Sequence, residues 1–404
     1  MSAKQKIGWA TMKVLLLLLL PAPRASALDW PHWRAPQMNG ISQEVGWEAP
    51  VDGDAVRVRW SKELGVGYSS VSVAKGRVYT AGWENGRETL HCLSADDGAT
   101  LWYHSYGATR YNRMHEGGSG GTPAVGDGRV VHMNRDGTVF CVQSESGTIL
   151  WQKHLADELD VGAPEFGFAG SAVIDDGSIY LDLGRIVKLD LDDGHIRWKT
   201  KNYGPAYSTP VPFKRGADTA LACFPEHGLV ILDAGSGRER ASHRWKTKHG
   251  INAATPVVEG NRFFISSGYG TGGSVLEWKQ GKLNVVWQNR EMQNHMATCV
   301  LIDGTLYGFD ESVLKCIDFA TGGRLWAKRG LGKGSLSAAD GRLIILSEPG
   351  ELVVARAAKD AFTEIGRARA LDGGQNWTVP VLVDGRIYLR SASGKLACVD
   401  VRAQ

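Results

Sequence analysis

A turn that ends in Gly and reaches a Trp four residues later keeps returning along the chain, and it constrains the fold more than any other feature. It appears as Gly98 with Trp102, Gly147 with Trp151, Gly194 with Trp198 and Gly322 with Trp326. A fifth turn, ending at Gly237, reaches Trp245 after a four-residue insertion. From Trp102 through Trp151, Trp198, Trp245 and Trp287 to Trp326 the intervals are 49, 47, 47, 42 and 39 residues. A period in this range marks a repeat architecture, in which each unit buries its apolar face against the next. At 404 residues the chain could form two or three ordinary domains, but a continuous repeat argues for one closed body.

Each unit has the same grammar: a short strand, a Gly turn, a β-rich strand such as Gly76 to Tyr79, a third strand, and the Gly-to-Trp hairpin. The innermost strands are expected to begin near Ser69, Gly121, Gly170, Ser208, Ala254, Ala297, Ser335 and Thr378. Eight such starts predict an all-β fold, an eight-bladed β-propeller of four-stranded antiparallel blades. The seventh unit runs from Leu352 to Gly366 without the Trp. Val56 to Trp60 reads as a last strand with nothing before it, and the unit from Trp377 to Val399 lacks its last strand. The N- and C-terminal strands are therefore expected to pair in one blade, which removes open sheet edges.

The domain reading follows: a leader over 1–27, an extended strap over 28–55 carrying Trp30, Trp33 and Arg34, and a single propeller over 56–404. In the leader, Lys4, Lys6 and Lys13 precede the apolar run Val14 to Leu20, and Ala25, Ser26 and Ala27 fit a cleavage site, the pattern of a secretory signal peptide. That run is too short to span a bilayer. The expected location is periplasmic or extracellular. Losing the leader removes four basic residues and no acid, which takes the formal charge from +3 to −1. So near neutrality, nothing favours nucleic acid as a partner.

Six Cys in an exported chain would ordinarily suggest disulfides. Here Cys92, Cys141 and Cys316 each lie six residues before the turn Gly, and Cys398 matches them. Equivalent positions in neighbouring blades lie too far apart to bridge. Cys299 and Cys316 would be two strands apart, about 9.6 Å. Buried free thiols are expected.

The repeat resembles that of the pyrroloquinoline-quinone-like (PQQ-like) β-propellers, where the Gly-to-Trp stretch is the tryptophan-docking motif. Among exported bacterial members the resemblance rests on Trp30, Trp33 and Arg34 near the start, on 252–256, 266–270 and 332–336, and on Asn294 with His295. It implies two kinds of relative. One is the quinone-dependent alcohol and sugar dehydrogenases, which hold the cofactor PQQ with calcium through a Glu and an Asn near a catalytic Asp, beneath an adjacent Cys pair that this chain lacks. Glu116, Glu165 and Asn252 are counterparts in kind. The other is the lipoprotein scaffold of outer-membrane assembly.

In a propeller, loops leading into the innermost strands gather around the mouth of the central channel. The expected ligand-binding residues there are Glu116, Glu165, Phe166, Tyr207, Asn252, Asn294, His295, Lys333, Asn376 and Trp377, a mixture of polar groups and stacking faces suited to a pocket. The alternative for the Asn residues is local satisfaction of backbone groups. No further His joins His115 and Glu116 at ligand spacing, so no zinc site is expected. The reading is an exported monomer that binds a small molecule, a glycan or a periplasmic protein at the channel mouth without catalysis. A quinone-dependent dehydrogenase and a protein-interaction scaffold stand as alternatives.

Overall fold

The computed structural model describes residues 29–50, 56–205 and 207–403; the segment read as a signal peptide lies outside them. Eight blades of four antiparallel strands form an eight-bladed β-propeller, and the sheet of blade 7 takes on a fifth, parallel strand, Ile41–Ser42. Blades 1 to 7 occupy 72–107, 124–154, 173–199, 211–244, 257–289, 300–328 and 335–369. Blade 8 takes three strands from 381–400 and its outermost strand, Val58–Glu63, from the other end of the chain, with Trp60 opposite Cys398.

The Gly and Trp of the repeat work between neighbouring blades. In each case the turn Gly has a positive φ, and a Cβ on it would lie 2.5 to 2.8 Å from the indole of the preceding blade: Gly98 against Trp60, Gly147 against Trp102, Gly194 against Trp151, Gly237 against Trp198 and Gly322 against Trp287. Each indole N–H then donates to a carbonyl of the same turn, as from Trp102 to Ser144 at 2.9 Å and from Trp287 to Phe319 at 2.8 Å. Only Gly leaves room for this approach. Across the strand, Trp60, Trp102, Trp151 and Trp326 face Cys398, Cys92, Cys141 and Cys316. All six Cys are buried and free, and these four are the small residue of a large–small pair.

Two blades lack this Trp. In blade 7 the position is Gly366, as the sequence indicates. In blade 4 it is Ala241, opposite Ile231, which corrects the reading of Trp245 as the same Trp displaced by an insertion. The hairpin of blade 4 keeps the common length and register, and Trp245 follows it, donating to Ser267 Oγ at 3.1 Å. Each gap is filled from elsewhere. Trp278 of blade 5 belongs to the same core cluster as Ala241 and lies under Arg215 at 3.7 Å. At the blade 7–8 junction the closing sheet has no covalent outer hairpin to receive an indole, and Trp47 of the strap is buried there among Ile344, Leu346, Leu382 and Val399.

The channel is closed from the end opposite the mouth by residues 29–48. Trp30 bridges Val73 of blade 1, Pro31 accepts from Val125 of blade 2, and Trp33 donates to Thr255 Oγ1 beside blade 5 at 3.0 Å. Ile41 and Ser42 pair in parallel with Ala338 and Ala339 of blade 7, and Glu44 accepts from Gly385 of blade 8 at 2.9 Å. Arg34 is fully buried and donates to the carbonyls of Cys299 at 2.7 Å and Asn39 at 2.8 Å. Further up the channel, hydroxyls clasp successive blades: the amides of Ser70, Thr122, Ser171 and Thr255 donate to the side chains of Thr122, Ser171, Thr209 and Thr298.

Candidate functional site

The mouth is lined by an annulus to which every blade contributes at least one side chain. Trp377, from the loop before blade 8, stacks on Tyr68 of blade 1 with centroids 5.3 Å apart. Tyr68 meets the His115 ring edge-on at 5.1 Å, His115 stacks on Phe166 at 5.4 Å, and Phe166 tilts against Tyr207 at 6.3 Å. On the other side, His295 meets Tyr269 edge-on at 4.7 Å, and Lys333 Nζ lies 3.1 Å from His295 Nδ1 and 2.9 Å from Glu311. Lys333 and Trp377 border one cleft with His295 and Glu311.

The loops are shaped for this. Gly117 and Gly118 have φ of +70 and +80, and a Cβ on either would overlap the backbone of Arg110 or Val66. Arg135, buried below, donates to the carbonyls of Gly118 and Phe166 and so fixes both loops. Glu348 joins two more: one carboxylate oxygen accepts from the Trp377 indole at 3.1 Å and the other from the Lys333 amide at 3.0 Å. Burial, then the charge of Arg135, pushes His115 down to about 4. Burial and Lys333 lower His295, and burial raises Tyr207 to about 12.

Of the residues expected at the mouth, Phe166, Tyr207, His295, Lys333 and Trp377 come together in the annulus. Glu116 and Glu165 lie at its rim, paired with Arg110 at 2.9 Å and Arg113 at 3.0 Å. Asn252, Asn294 and Asn376 are buried beneath it, donating to the carbonyls of Pro225, Phe309 and Glu348. Sequence reasoning passed over Tyr68, Tyr269, Glu311 and Glu348. Tyr68 had a signal, since it stands two residues before Ser70 as Tyr207 stands before Thr209. The other three lie on hairpins between second and third strands, which open on the same end as the loops preceding the first strands.

These residues do not fit a quinone with its calcium. Glu116, Glu165 and Asn252 are engaged in separate contacts, and among the described residues no three His, Cys, Asp or Glu side chains converge. The cleft beside His295, Lys333 and Trp377 has about 10 Å³ of free volume, against several hundred Å³ for a typical cofactor site.

The PQQ-like repeat family model described as "outer membrane protein assembly factor BamB" matches residues 43–215 and 86–328. The chain belongs to the PQQ-like β-propeller family. Among its relatives is outer membrane protein assembly factor BamB of Escherichia coli (strain K12), 23% identical over 330 residues, which span 75% of this chain and 78% of the relative. Among solved structures, BamB from Moraxella catarrhalis superposes with a TM-score of 0.61 at 14% identity, covering 85% of this chain and 97% of that one. Quinohemoprotein alcohol dehydrogenase from Comamonas testosteroni superposes with a TM-score of 0.64 at 11% identity, covering 93% and 81%. At such identities the structural likeness speaks for the fold. Among the described residues no helix is long and apolar enough to cross a membrane.

Proposed function

We propose that this chain is an exported docking scaffold that holds a protein partner against the mouth of its channel and carries out no redox chemistry itself. The observation that carries the reading is the annulus: all eight blades place side chains around the mouth, leaving half-buried aromatic faces, and the cleft beside Trp377 holds only about 10 Å³. Aromatic residues ringed by paired charges, here Arg110 with Glu116 and Arg113 with Glu165, make the anatomy of a protein interface, with an apolar centre and a polar rim. The relatives named as outer membrane protein assembly factors favour the scaffold over a dehydrogenase, and the leader-like N-terminus favours export. A small molecule or glycan would need a concavity larger than the cleft beside Trp377.

The test is site-specific photocrosslinking in the producing cell. A photoreactive residue at Met114 or Tyr269, both exposed at the mouth, is expected to yield one discrete protein adduct, lost when Trp377→Ala is added. The same residue at Tyr103, exposed on an outer strand, is expected to yield none. Adducts only from Tyr103 would contradict the proposal.

A further inference from the structure

The imidazoles of His115 and His295 at the mouth are each held in one tautomer. His115 Nδ1 accepts the Gly117 amide hydrogen at 3.0 Å. His295 Nδ1 faces Lys333 Nζ at 3.1 Å, and an ammonium offers only hydrogens. With Nδ1 committed as acceptor in each ring, the one proton of the neutral imidazole sits on Nε2. Burial and neighbouring cations hold both rings below the ordinary histidine value, so both stay neutral at pH 7. Among the described residues no hydrogen bond engages either Nε2.

The acceptors around them are already in use. Glu311 pairs with Lys333, Glu348 takes the Trp377 and Lys333 N–H groups, and the two rim carboxylates pair with Arg110 and Arg113. His115 and His295 therefore each offer a free N–H donor, from opposite blades 2 and 6, with the cations Arg135 and Lys333 beside them. Such a surface complements an anionic acceptor.

We propose that the mouth recognises a carboxylate on the docked partner, an Asp or Glu side chain in a segment with apolar neighbours, bound by the Nε2–H groups of His115 and His295 while the neighbours cover the aromatic faces. This rests on the docking reading above and adds the chemistry of the partner.

The experiment is selection of a displayed random peptide library on the intact protein at pH 7.5. Selected peptides are expected to carry Asp or Glu flanked by apolar residues. Replacing that acid by its amide should weaken binding about tenfold, the effect of losing a hydrogen bond to a charged group. His115→Asn and His295→Asn keep an acceptor near Nδ1 and lose the outer donor, and should weaken binding similarly. His115→Gln and His295→Gln place an amide N–H near Nε2 and should retain it, a contrast that a merely structural role does not produce. Melting temperatures select the variants that are folded, and either histidine alone suffices for the comparison. Peptides whose binding needs Trp377 but shows no preference for acids overturn the carboxylate proposal alone. Peptides indifferent to Trp377→Ala overturn the docking reading and this proposal with it.

Discussion

Trp377 lies on Tyr68 with ring centroids 5.3 Å apart and planes 18° from parallel, a stack that joins the last blade to the first across the seam where the propeller closes. The strand Val58–Glu63 closes the same seam at the outer edge. Inner and outer ends of the junction are thus held by different parts of the chain. Trp377→Ala removes the stack and the bond to Glu348 but leaves every strand pairing in place. We expect circular dichroism to keep its β signature and the unfolding free energy to fall by about 1–3 kcal/mol. Loss of the fold would show that the mouth, and not the strand exchange, closes the ring.

Trp47 stands where blade 7 lacks its own Trp. Although it belongs to the strap, Trp47→Ala should cost about 3–5 kcal/mol, as for a core aromatic, measured by denaturant titration. Gly366→Trp should not restore the loss, because blade 8 offers no covalent hairpin for the new indole.

Gly76 and Gly98 share a φ of +72, yet a Cβ on Gly76 meets nothing within 4 Å while one on Gly98 lies 2.6 Å from Trp60. Ala at Gly76 should cost about 1–2 kcal/mol for the left-handed backbone alone. At Gly98 the cost should be larger by about 1–3 kcal/mol of overpacking. Equal losses would show that the indole yields freely.

Burial raises the Asp182 carboxyl from 3.8 to about 7. The folded protein then holds a proton that the unfolded chain releases above pH 4, so this group lowers stability as pH rises from about 4 to 7. Asp182→Asn keeps the acceptor for the Gly184 amide and has no such proton. Its stability profile should be flatter over that window and higher than the natural protein's at pH 7, as read by thermal melts across pH. A lower stability of the variant at pH 7 would contradict the assignment.

The repeat was legible because Gly and Trp recur in fixed register, and that register is what packs one blade on the next. Blade number, strand exchange and the missing Trp of blade 7 all follow from it. Trp245 misled because a Trp at nearly the right interval looks like a shifted copy, whereas hairpin register places Ala241 there. At the mouth, aromatic and charged residues on the leading loops were readable as a group. The three Asn were not separable from them, since a buried Asn that satisfies a carbonyl and an exposed one that binds a ligand look alike in sequence. Glu311 and Glu348 were hidden because their place depends on which hairpins open on the same end.

The central claim is that the mouth is a filled docking face and not a cofactor cavity. Calorimetric titration of the purified protein with pyrroloquinoline quinone, with and without calcium, tests it most directly. The account predicts no saturable heat in either case. One-to-one binding, abolished by substitution of Glu116, Glu165 or Asn252, would contradict it.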